Sequence, residues 1–447
     1  MITWWLNRGQ KAVNLLSRSK SQITPAAPTK DEDDYIVPTT QKAVLLYGAH
    51  QPYQLVENYP VPADLQSDEV LIENRAVGLN PIDWRGPDFG FGLPDLPQVA
   101  GRELSGLLVH TADARCGWAK GDRVGGITKP CTKELLTLGQ VIAISTDYRD
   151  SRKGAYQNHV VAKSYNIVRL PGHVSFEQGS TIGVAFVTAA VALGICLGVD
   201  FTVVDNGPEM RQVVDSLNVD SLPKDVHKEI AQQIPSQDRP EAGDWFVIWG
   251  GSSTSAILSA QLAKLAGLRV AVVLDAAKHG SSLFKEHSIK PDLVIDSHDP
   301  QRAIEIIRSC TRGRKRFGLD TRGKETTTFL IDSLCGTPSI LEPQRLDDST
   351  SDSNEISLPR HVHIVALCSA PKIQRTDLTL HTIPIKLFHV SPKVGKALTT
   401  WLGRLLQNNT IAYPTIAGVG DGLSSINASL NKMRRGEISG GKMVVKL

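Results

Sequence analysis

The sequence predicts an α/β protein in which a β-rich, barrel-like domain precedes a doubly wound domain with a parallel sheet. Residues 42–170 contain short alternating or β-branched segments separated by Gly and Pro, which is typical of strands and turns. From Trp245 the pattern changes to an apolar segment, a Gly- and Ser-rich turn, a helix and a second apolar segment. Strands that are apolar throughout are typical of parallel sheets covered on both faces. A length of 447 residues suits roughly two or three domains.

Four segments of the first part have the composition of strands. They alternate apolar and polar residues or are rich in β-branched residues, and turn residues separate them. The predicted strands are Lys42–Tyr47, Glu69–Val77, Gly101–His110 and Tyr156–Ala162. The residues Gly121–Val124 predict a turn that enters a further strand. No helical periodicity competes with this interpretation, so the first domain is predicted to be β-rich.

The second part has the order of a β-turn-α-β unit. Trp245–Trp249 is apolar throughout and predicts a strand, and Gly250–Ser255 predicts a turn. Ala256–Leu268 has the periodicity of a helix, and Arg269–Leu274 predicts a second strand with Asp275 at its end. Further strands of the same sheet are predicted at Pro291–Asp296 and His361–Leu367. Between the two parts, residues 200–243 are polar and Pro-rich, which indicates an insertion or linker with one helix.

The composition excludes several classes of protein. Hydrophobic residues make up 41% and charged residues 21%, which favours a globular core over general disorder. A net charge of +3 is too close to balance to indicate nucleic-acid or membrane-surface binding. No two cysteines form a CxxC pair, so the sequence indicates neither a disulfide scaffold nor structural zinc, and it favours a reducing compartment. The cysteines are Cys116, Cys131, Cys196, Cys310, Cys335 and Cys368.

Two segments bear on location. Ile182–Val199 has no charge and is long enough to span a bilayer, but no aromatic belt or basic cluster flanks it. We therefore favour a buried helix between domains over a membrane span. Residues 1–30 contain basic but no acidic side chains, which is typical either of an organelle transit peptide or of a disordered tail. The sequence thus predicts a cytoplasmic protein, with a mitochondrial location as the alternative.

The turn between the two apolar strands has the character of a dinucleotide site. Gly250 and its neighbours would let the backbone approach a pyrophosphate, which the following helix N-terminus attracts. Asp275 is spaced to bind ribose hydroxyls. The glycine pattern is degenerate, because Thr254 and Ala256 stand where glycines are usual, although neighbouring hydroxyls can also bind phosphate. An ordinary helix N-cap on a buried strand explains the turn equally well.

Segments that agree in order give the chain a resemblance to the medium-chain dehydrogenase/reductase superfamily, in its zinc-free, quinone-oxidoreductase-like branch. The resemblance implies a GroES-like barrel domain followed by a Rossmann domain, and it covers about residues 42–447 apart from the insertions. Its segments are Ala76–Arg85 (AVGLNPIDWR), Gln98–Gly106 (QVAGRELSG), Gly121–Val124 (GDRV), Gly154–Val161 (GAYQNHVV), Thr181–Leu193 and Met443–Leu447 (MVVKL).

This resemblance also implies domain boundaries. Residues 1–41 form a tail, 42–190 the GroES-like catalytic domain, and 191–370 the Rossmann cofactor domain. Insertions fall near 200–243 and 337–360, and residues 371–447 return to the catalytic domain.

Three segments resemble more narrowly the fungal trans-acting enoyl reductases that partner polyketide synthases. They are Trp249–Ser255 (WGGSSTS), Arg316–Asp320 (RFGLD) and Gly440–Leu447 (GGKMVVKL). The resemblance implies reduction of a carrier-bound enoyl thioester in secondary metabolism. A polyketide synthase acyl carrier is then the expected partner, and the chain would act as a monomer or homodimer.

The resemblance further implies that no metal is used. In the zinc-dependent branch a Cys occupies the site of Asn80 and a His the site of Arg102, so both ligands are missing here, although Glu103 is retained. Without imidazole and thiolate ligands there is no tetrahedral site to polarise an alcohol. The expected reaction is instead hydride transfer to a double bond that a carbonyl already activates.

The resemblance assigns site residues, and each has a plainer alternative. Pro81, Ile82, Asp83 and Trp84 would lie beside the nicotinamide, or form a turn with Trp84 in the core. Ser252, Ser253, Thr254 and Ser255 would hold the phosphates. Phe186, Val187 and Thr188 would line the acyl pocket, or simply pack in the core. The basic cluster Arg312, Arg314, Lys315 and Arg316 would dock an acidic carrier, although a solvated face is favoured. No residue is identified as the proton donor.

The choice of cofactor remains open between NADPH and NADH. The resemblance implies NADPH, whereas a carboxylate at Asp275 would repel the 2′-phosphate and favours NADH. Lys278 and His279 follow and could neutralise that phosphate, or they could belong to a solvated loop. We favour NADPH. The leading function is an NAD(P)H-dependent enoyl reductase, and the alternatives are a general quinone or enone oxidoreductase and a cofactor-binding protein with little catalysis.

Overall fold

The computed structural model describes residues 36–93, 95–113, 118, 139–145, 149–231, 234–280, 289–311, 314, 316–335 and 361–447. The chain divides into two units, Met1–Val37 and Pro38–Leu447, and the second contains nearly all of the described residues. Several predictions lie outside the described residues: almost all of the tail, the turn Gly121–Val124, Cys116 and Cys131, Arg312 and Lys315 of the basic cluster, and the insertion near 337–360.

The β-rich part contains two sheets. The larger sheet has the strand order β15-β16-β3-β5-β6-β8, with β7 also paired to β3, and the smaller has the order β2-β1-β4. The strands are β1 (Thr40–Leu46), β2 (Gln54–Pro60), β3 (Glu69–Gly78), β4 (Gln98–Val99), β5 (Glu103–Thr111), β6 (Gln140–Ile144), β7 (His159–Lys163), β8 (Ile167–Arg169), β15 (Ile416–Asp421) and β16 (Lys442–Lys446). The closing segment of the chain thus returns to this part as β16, beside β3.

A third sheet, outside the β-rich part, confirms the predicted fold class. It has six parallel strands in the order β11-β10-β9-β12-β13-β14. These strands are β9 (Trp245–Trp249), β10 (Arg269–Leu274), β11 (Leu293–Asp296), β12 (Arg316–Asp320), β13 (Val362–Ala366) and β14 (Leu378–His381). All five residues of β9 are buried, with Phe246 and Ile248 in one core and Trp245, Val247 and Trp249 in the other. A strand covered on both faces has to be apolar on both.

Twelve helices are described, and several begin at side-chain caps. They are α1 (Pro81–Phe89), α2 (Phe176–Gly179), α3 (Gly183–Val191), α4 (Met210–Asp215), α5 (Lys224–Ala231), α6 (Thr254–Leu265), α7 (Ala276–His279), α8 (Pro300–Cys310), α9 (Lys324–Cys335), α10 (Leu387–Val390), α11 (Pro392–Gln407) and α12 (Ile426–Arg434). α4 and α5 fall in residues 200–243, where the sequence predicts one helix.

The long apolar segment is a core helix. α3 continues into a π-helical turn at Ala192–Cys196, and its residues pack in the same core as α6 and α11. The described stretch Phe176–Cys196 is long and apolar enough to cross a membrane, but 89% of its most apolar window is buried inside the protein. Burial of this kind is typical of a helix whose apolar surface is covered by its own fold.

The parallel sheet extends further along the chain than the predicted boundary at residue 370. β14 pairs in parallel with β13, with Val362 opposite Leu378 and Val365 opposite His381. Three of its four residues are half-buried, because β14 lies at the edge of the sheet and has a neighbouring strand on one side only. An edge strand of this kind lacks the continuous apolar run that identifies β9 and β10 from sequence alone.

Candidate functional site

The turn after β9 requires glycine at two successive positions. Gly250 has φ +84°, a conformation that side chains disfavour. A Cβ on Gly251 would lie 2.9 Å from Cβ of Val272 on β10. The turn is therefore packed directly onto the neighbouring strand, at the carboxyl edge of the parallel sheet. Ligands of open α/β sheets bind at this edge.

Hydroxyl side chains surround the first turn of the helix that follows. Ser253 caps α6, with 3.1 Å between its Oγ and the backbone N of Ala256 that donates to it. Ser252, Thr254 and Ser255 are half-buried beside it. The N-terminal N–H groups of a helix carry partial positive charge and bind phosphate oxygens. The glycine turn, hydroxyls and helix terminus together therefore fit a pyrophosphate.

Asp275 lies where the sequence predicts, directly after β10. Its Oδ1 accepts a 2.8 Å hydrogen bond from the backbone N of Lys278 and so caps α7. The Lys278 side chain is exposed. The solvated-loop alternative does not describe His279. This residue is buried, and its Nε2 lies 2.8 Å from Oγ of Ser439. Of the two cations expected near a 2′-phosphate, Lys278 is the accessible one.

Two further titratable residues stand beside Asp275, and the sequence interpretation missed both. Asp296 ends β11, and its Oδ1 accepts hydrogen bonds from the backbone N of Ala276 and from Nδ1 of His298, both at 3.0 Å. Nε2 of His298 lies 3.8 Å from Oδ2 of Asp275. The hydrogen bond to Asp296, with the attraction of both carboxylates, raises the pKa of His298. The strand end is thus acidic, with its charge set partly by an imidazole.

The NPIDW segment forms the beginning of α1 rather than a loop. Pro81 is the first residue of the helix, a position that suits its fixed φ and missing N–H. Asp83 is buried, and its Oδ2 accepts a 2.8 Å hydrogen bond from the backbone N of Asn80. Burial raises the pKa of Asp83, although Arg102 and the hydrogen bond from Asn80 act in the opposite direction. Ile82 is half-buried, so the first turn of α1 keeps an apolar side chain partly accessible while its carboxyl group is enclosed.

Trp84 is partly buried and packs against the core of the β-rich part, and two guanidinium groups lie over its ring. Cζ of Arg85 is 5.4 Å from the Trp84 ring centroid, and Cζ of Arg434 is 5.6 Å from it. Nη1 of Arg85 also donates to Sγ of Cys368, at 3.4 Å. Cys368 follows β13, so this contact links α1 to the carboxyl edge of the parallel sheet. Neither Arg85 nor Cys368 was assigned a role from the sequence.

A cavity lies under α1. Tyr53, Ile82, Asp83, Gly101 and Arg102 are among its lining residues. The Tyr53 hydroxyl donates a 2.7 Å hydrogen bond to the backbone O of Asp83. Burial, with the nearby Asp83 carboxyl, raises the pKa of Tyr53 above its usual range. The cavity is therefore polar at one end, and burial raises the pKa of both Tyr53 and Asp83 there.

A buried ion pair lies beside Asn80, one of the two positions at which the resemblance expects a metal ligand in the zinc-dependent branch. Nζ of Lys442 forms an ion pair with Oε1 of Glu103 and donates a 2.7 Å hydrogen bond to Oδ1 of Asn80. All three side chains are buried. A cation is thus already bonded to the amide and the carboxylate, and a set of ammonium, amide and carboxylate groups does not fit tetrahedral zinc. Lys442 lies in the segment Gly440–Leu447, which carries part of the resemblance, but the sequence alone assigns it no role.

The residues predicted for the acyl pocket lie on α3. Phe186 and Val187 are fully buried, and Phe186 packs on Trp401 with 5.4 Å between ring centroids. Thr188 is half-buried. The contacts of Phe186 are those of a core residue, which was the alternative interpretation. Their role in a pocket remains a prediction.

The sequence of this chain is similar to a known protein family and to several known proteins. Residues 66–172 match the family described as "Alcohol dehydrogenase GroES-like domain". Trans-enoyl reductase caaB of Aspergillus niger is 23% identical over 92% of this chain and 98% of its own. Trans-enoyl reductase cghC of Chaetomium globosum is 28% identical over 67% of this chain and 70% of its own. The predicted resemblance to trans-acting enoyl reductases is thereby confirmed.

Solved structures share the fold. The quinone oxidoreductase of Escherichia coli, solved in complex with NADPH, superposes with a TM-score of 0.60. It is 16% identical, over 91% of this chain and all of its own. This chain therefore combines a GroES-like domain with a parallel, Rossmann-like sheet, and it shares its fold with that structure.

Proposed function

We propose, from the premise that this chain has the fold of the medium-chain dehydrogenase/reductase superfamily, that it is an NADPH-dependent reductase of activated carbon–carbon double bonds. Its substrate is an enoyl thioester of polyketide-type secondary metabolism, and hydride is delivered to the β-carbon. The observation that carries the proposal is that the glycine turn before α6 and the helix α1 meet at the carboxyl edge of the parallel sheet. The glycine turn and hydroxyls of α6 lie at the carboxyl end of β9, and α1 is tied to the same edge through Arg85 and Cys368.

The residues present fit a dinucleotide. The turn at Gly250 and the hydroxyls Ser252, Ser253, Thr254 and Ser255 would hold the phosphates at the N-terminus of α6. Asp275 would bind ribose hydroxyls, and the exposed Lys278 would meet the 2′-phosphate. The first turn of α1, Pro81–Trp84, would flank the nicotinamide. The bound cofactor supplies the hydride.

The protein's task in the reaction is orientation. A carbonyl conjugated with the double bond already makes the β-carbon electrophilic, so no metal has to polarise the substrate. The ammonium of Lys442 and the donor set around it favour a zinc-independent enzyme. Phe186, Val187 and Thr188 are proposed to border the acyl group. Arg314, the described residue of the basic cluster outside the sheet, is exposed and available to an acidic partner.

The partner is proposed to be the acyl carrier of a polyketide synthase, because the sequence relatives are trans-enoyl reductases. The location is proposed to be cytoplasmic, with mitochondria as the alternative.

One second function has specific support: reduction of free quinones or enones, since a quinone oxidoreductase shares the fold. A cofactor-binding protein with little catalysis is the third possibility, because Thr254 and Ala256 replace the usual glycines.

One panel of substrates separates these functions. NADPH oxidation is followed at the nicotinamide absorbance band with a carrier-tethered enoyl thioester, a free enone and a small quinone. The proposal expects the tethered thioester to be reduced far faster, because binding energy from the phosphopantetheine arm is used in the transition state. Equal or faster turnover of quinones establishes the second function. NADPH binding without turnover of any substrate establishes the third.

A further inference from the structure

The buried lysine at the start of β16 enters the proposed function only as support for zinc independence, and its effect on the cofactor site has not yet been considered. Lys442 is 3% exposed, and it is the one charged residue of β16 that is buried, since Lys446 is exposed. We infer that Lys442 is a positioning residue: its ammonium fixes Asn80 and, through Asn80, the turn of α1 that faces the nicotinamide. The inference rests on the proposed function, because it concerns how α1 meets the cofactor.

Strand pairing places the three side chains together. β16 pairs antiparallel with β3, with Val444 opposite Gly78, and the backbone N of Leu79 donates to the O of Met443. This register puts Lys442 opposite Asn80. On the other side of β3, Glu103 of β5 is opposite Gly78. The cluster is therefore defined by two ladders that flank one strand, and side-chain flexibility contributes little to it.

Gly78 lets β3 pack closely against the backbone of Ser180 and the side chain of Glu103. A Cβ on Gly78 would lie 2.0 Å from the backbone O of Ser180 and 3.0 Å from Oε1 of Glu103. No side chain fits there. The carboxylate of Glu103 is consequently held between β3 and the beginning of α3, where its Oε2 accepts a 2.8 Å hydrogen bond from the backbone N of Val184.

The hydrogen bonds leave Asn80 one orientation. Its Oδ1 accepts from Nζ of Lys442 at 2.7 Å, and its Nδ2 donates to Oε1 of Glu103 at 3.0 Å. Reversing the amide would place its Nδ2 donor against the ammonium and its Oδ1 acceptor against the carboxylate. Because the site excludes water, an unpaired charge there would be costly, and the pairing is correspondingly rigid.

From Asn80 the constraint passes to α1 by one residue. The backbone N of Asn80 donates to Oδ2 of Asp83, and Pro81 begins the helix. A shift of Asn80 therefore moves Pro81 and Asp83 together. Hydride transfer is sensitive to small displacements of the groups around the nicotinamide, because a misplacement of about 1 Å can cost on the order of 100-fold in rate. The buried ammonium is thus the fixed charge that sets the position of Asn80 and of the first turn of α1.

The test compares two variants with a matched control. Lys442→Met removes the ammonium, Asn80→Ala removes the link to α1 while keeping the Lys442–Glu103 ion pair, and Lys446→Met removes an exposed lysine of the same strand. Each purified full-length chain is titrated with NADPH and with 2′,5′-ADP, which lacks the nicotinamide half. The rate of NADPH oxidation with an enoyl thioester is measured per 2′,5′-ADP-binding site, so that unfolded protein does not count.

We expect both site variants to bind 2′,5′-ADP within about twofold of the unaltered chain, to bind NADPH about fivefold or more weakly, and to react about tenfold or more slowly per site. The double variant should lose no more NADPH affinity than the worse single variant, because the two residues act in one path. Lys446→Met should match the unaltered chain. If Lys442→Met fails to fold, Asn80→Ala carries the same expectation.

Unchanged NADPH affinity in Asn80→Ala overturns the inference, and so do additive losses in the double variant. Equal weakening of NADPH and 2′,5′-ADP overturns it as well, because that result indicates general structural damage. Failure of the proposed function gives a different result: the unaltered chain binds NADPH but reduces no enoyl thioester. The two binding titrations then still decide the role of Lys442.

Discussion

The Nη1 atom of Arg85 lies 3.4 Å from the Sγ atom of Cys368, to which it donates a hydrogen bond. Arg85 belongs to α1, and Cys368 follows β13 at the carboxyl edge of the parallel sheet. The sulfur is in turn 3.3 Å from the backbone O of Thr321, and Oγ1 of Thr321 donates to the O of Gly250. A continuous set of contacts therefore joins α1 to the glycine turn that is proposed to hold the cofactor.

This chain of contacts predicts that NADPH protects Cys368 from alkylation. Cys368 and Cys310 are both exposed, but Cys310 ends α8, away from the glycine turn. With iodoacetamide, we expect saturating NADPH to slow modification of Cys368 by about fivefold or more, because the bound cofactor covers this edge. Cys310 serves as the internal control in the same mass-spectrometric experiment. Equal modification of Cys368 with and without NADPH would show that the cofactor lies elsewhere.

Cofactor choice depends on Asp275 and Lys278. Replacing the carboxylate in Asp275→Ser should raise affinity for NADPH and lower that for NADH, since a carboxylate repels the 2′-phosphate and binds ribose hydroxyls. Lys278→Ala should have the opposite effect, because its exposed ammonium is the accessible cation there. The measurement is the ratio of kcat/KM for NADPH to that for NADH. If neither variant changes this ratio by more than about twofold, or ~0.4 kcal/mol, the two residues do not face the ribose.

The preference for NADPH should fall as pH rises through the pKa of His298. That pKa is raised by the hydrogen bond to Asp296 and by both neighbouring carboxylates, so His298 carries a positive charge below it and is neutral above. The charged form offsets Asp275 and Asp296 and favours the 2′-phosphate. The charged groups that act on His298 are these two carboxylates. We expect the NADPH-to-NADH ratio of binding constants to fall about threefold across the titration.

The control for this pH dependence is His298→Gln. The 2′-phosphate of NADPH also titrates near pH 6, and that contribution persists in the variant. Only the difference between the two pH profiles reports the imidazole. Superimposable profiles would show that His298 does not influence the cofactor.

The buried ion pair predicts activity without zinc. Asn80 and Glu103 offer no imidazole or thiolate, and the ammonium of Lys442 is already bonded to both. After mild chelation, elemental analysis should find well under one zinc per chain while NADPH-dependent reduction is retained. Zinc present at one equivalent and required for turnover would contradict this account.

Much of the parallel sheet could be predicted from sequence because its central strands are buried on both faces. The predicted bounds of Trp245–Trp249 and Arg269–Leu274 coincide with β9 and β10. Strand β7 begins at His159 rather than at Tyr156, because Gln157 uses its side chain to bind backbone carbonyls of the preceding turn. Such local hydrogen bonds leave no periodic signal.

The site was predictable only where it is local in sequence. The glycine turn, α6 and Asp275 follow one another along the chain, so their order indicates their chemistry. Lys442 meets Asn80 across 362 positions of sequence, and His298 meets Asp275 through the pairing of β10 with β11. These contacts depend on strand register, which the composition of each segment does not specify.

The central claim is that hydride passes to the β-carbon of an enoyl thioester, and isotope transfer tests it most directly. NADPH deuterated at C4 of the nicotinamide, on the transferred face, is incubated with the protein and a carrier-tethered enoyl thioester. The account predicts a saturated thioester with one deuterium on the β-carbon and a solvent-derived proton on the α-carbon, detected by mass spectrometry and NMR. Deuterium on the carbonyl carbon, or a product without deuterium, would contradict it.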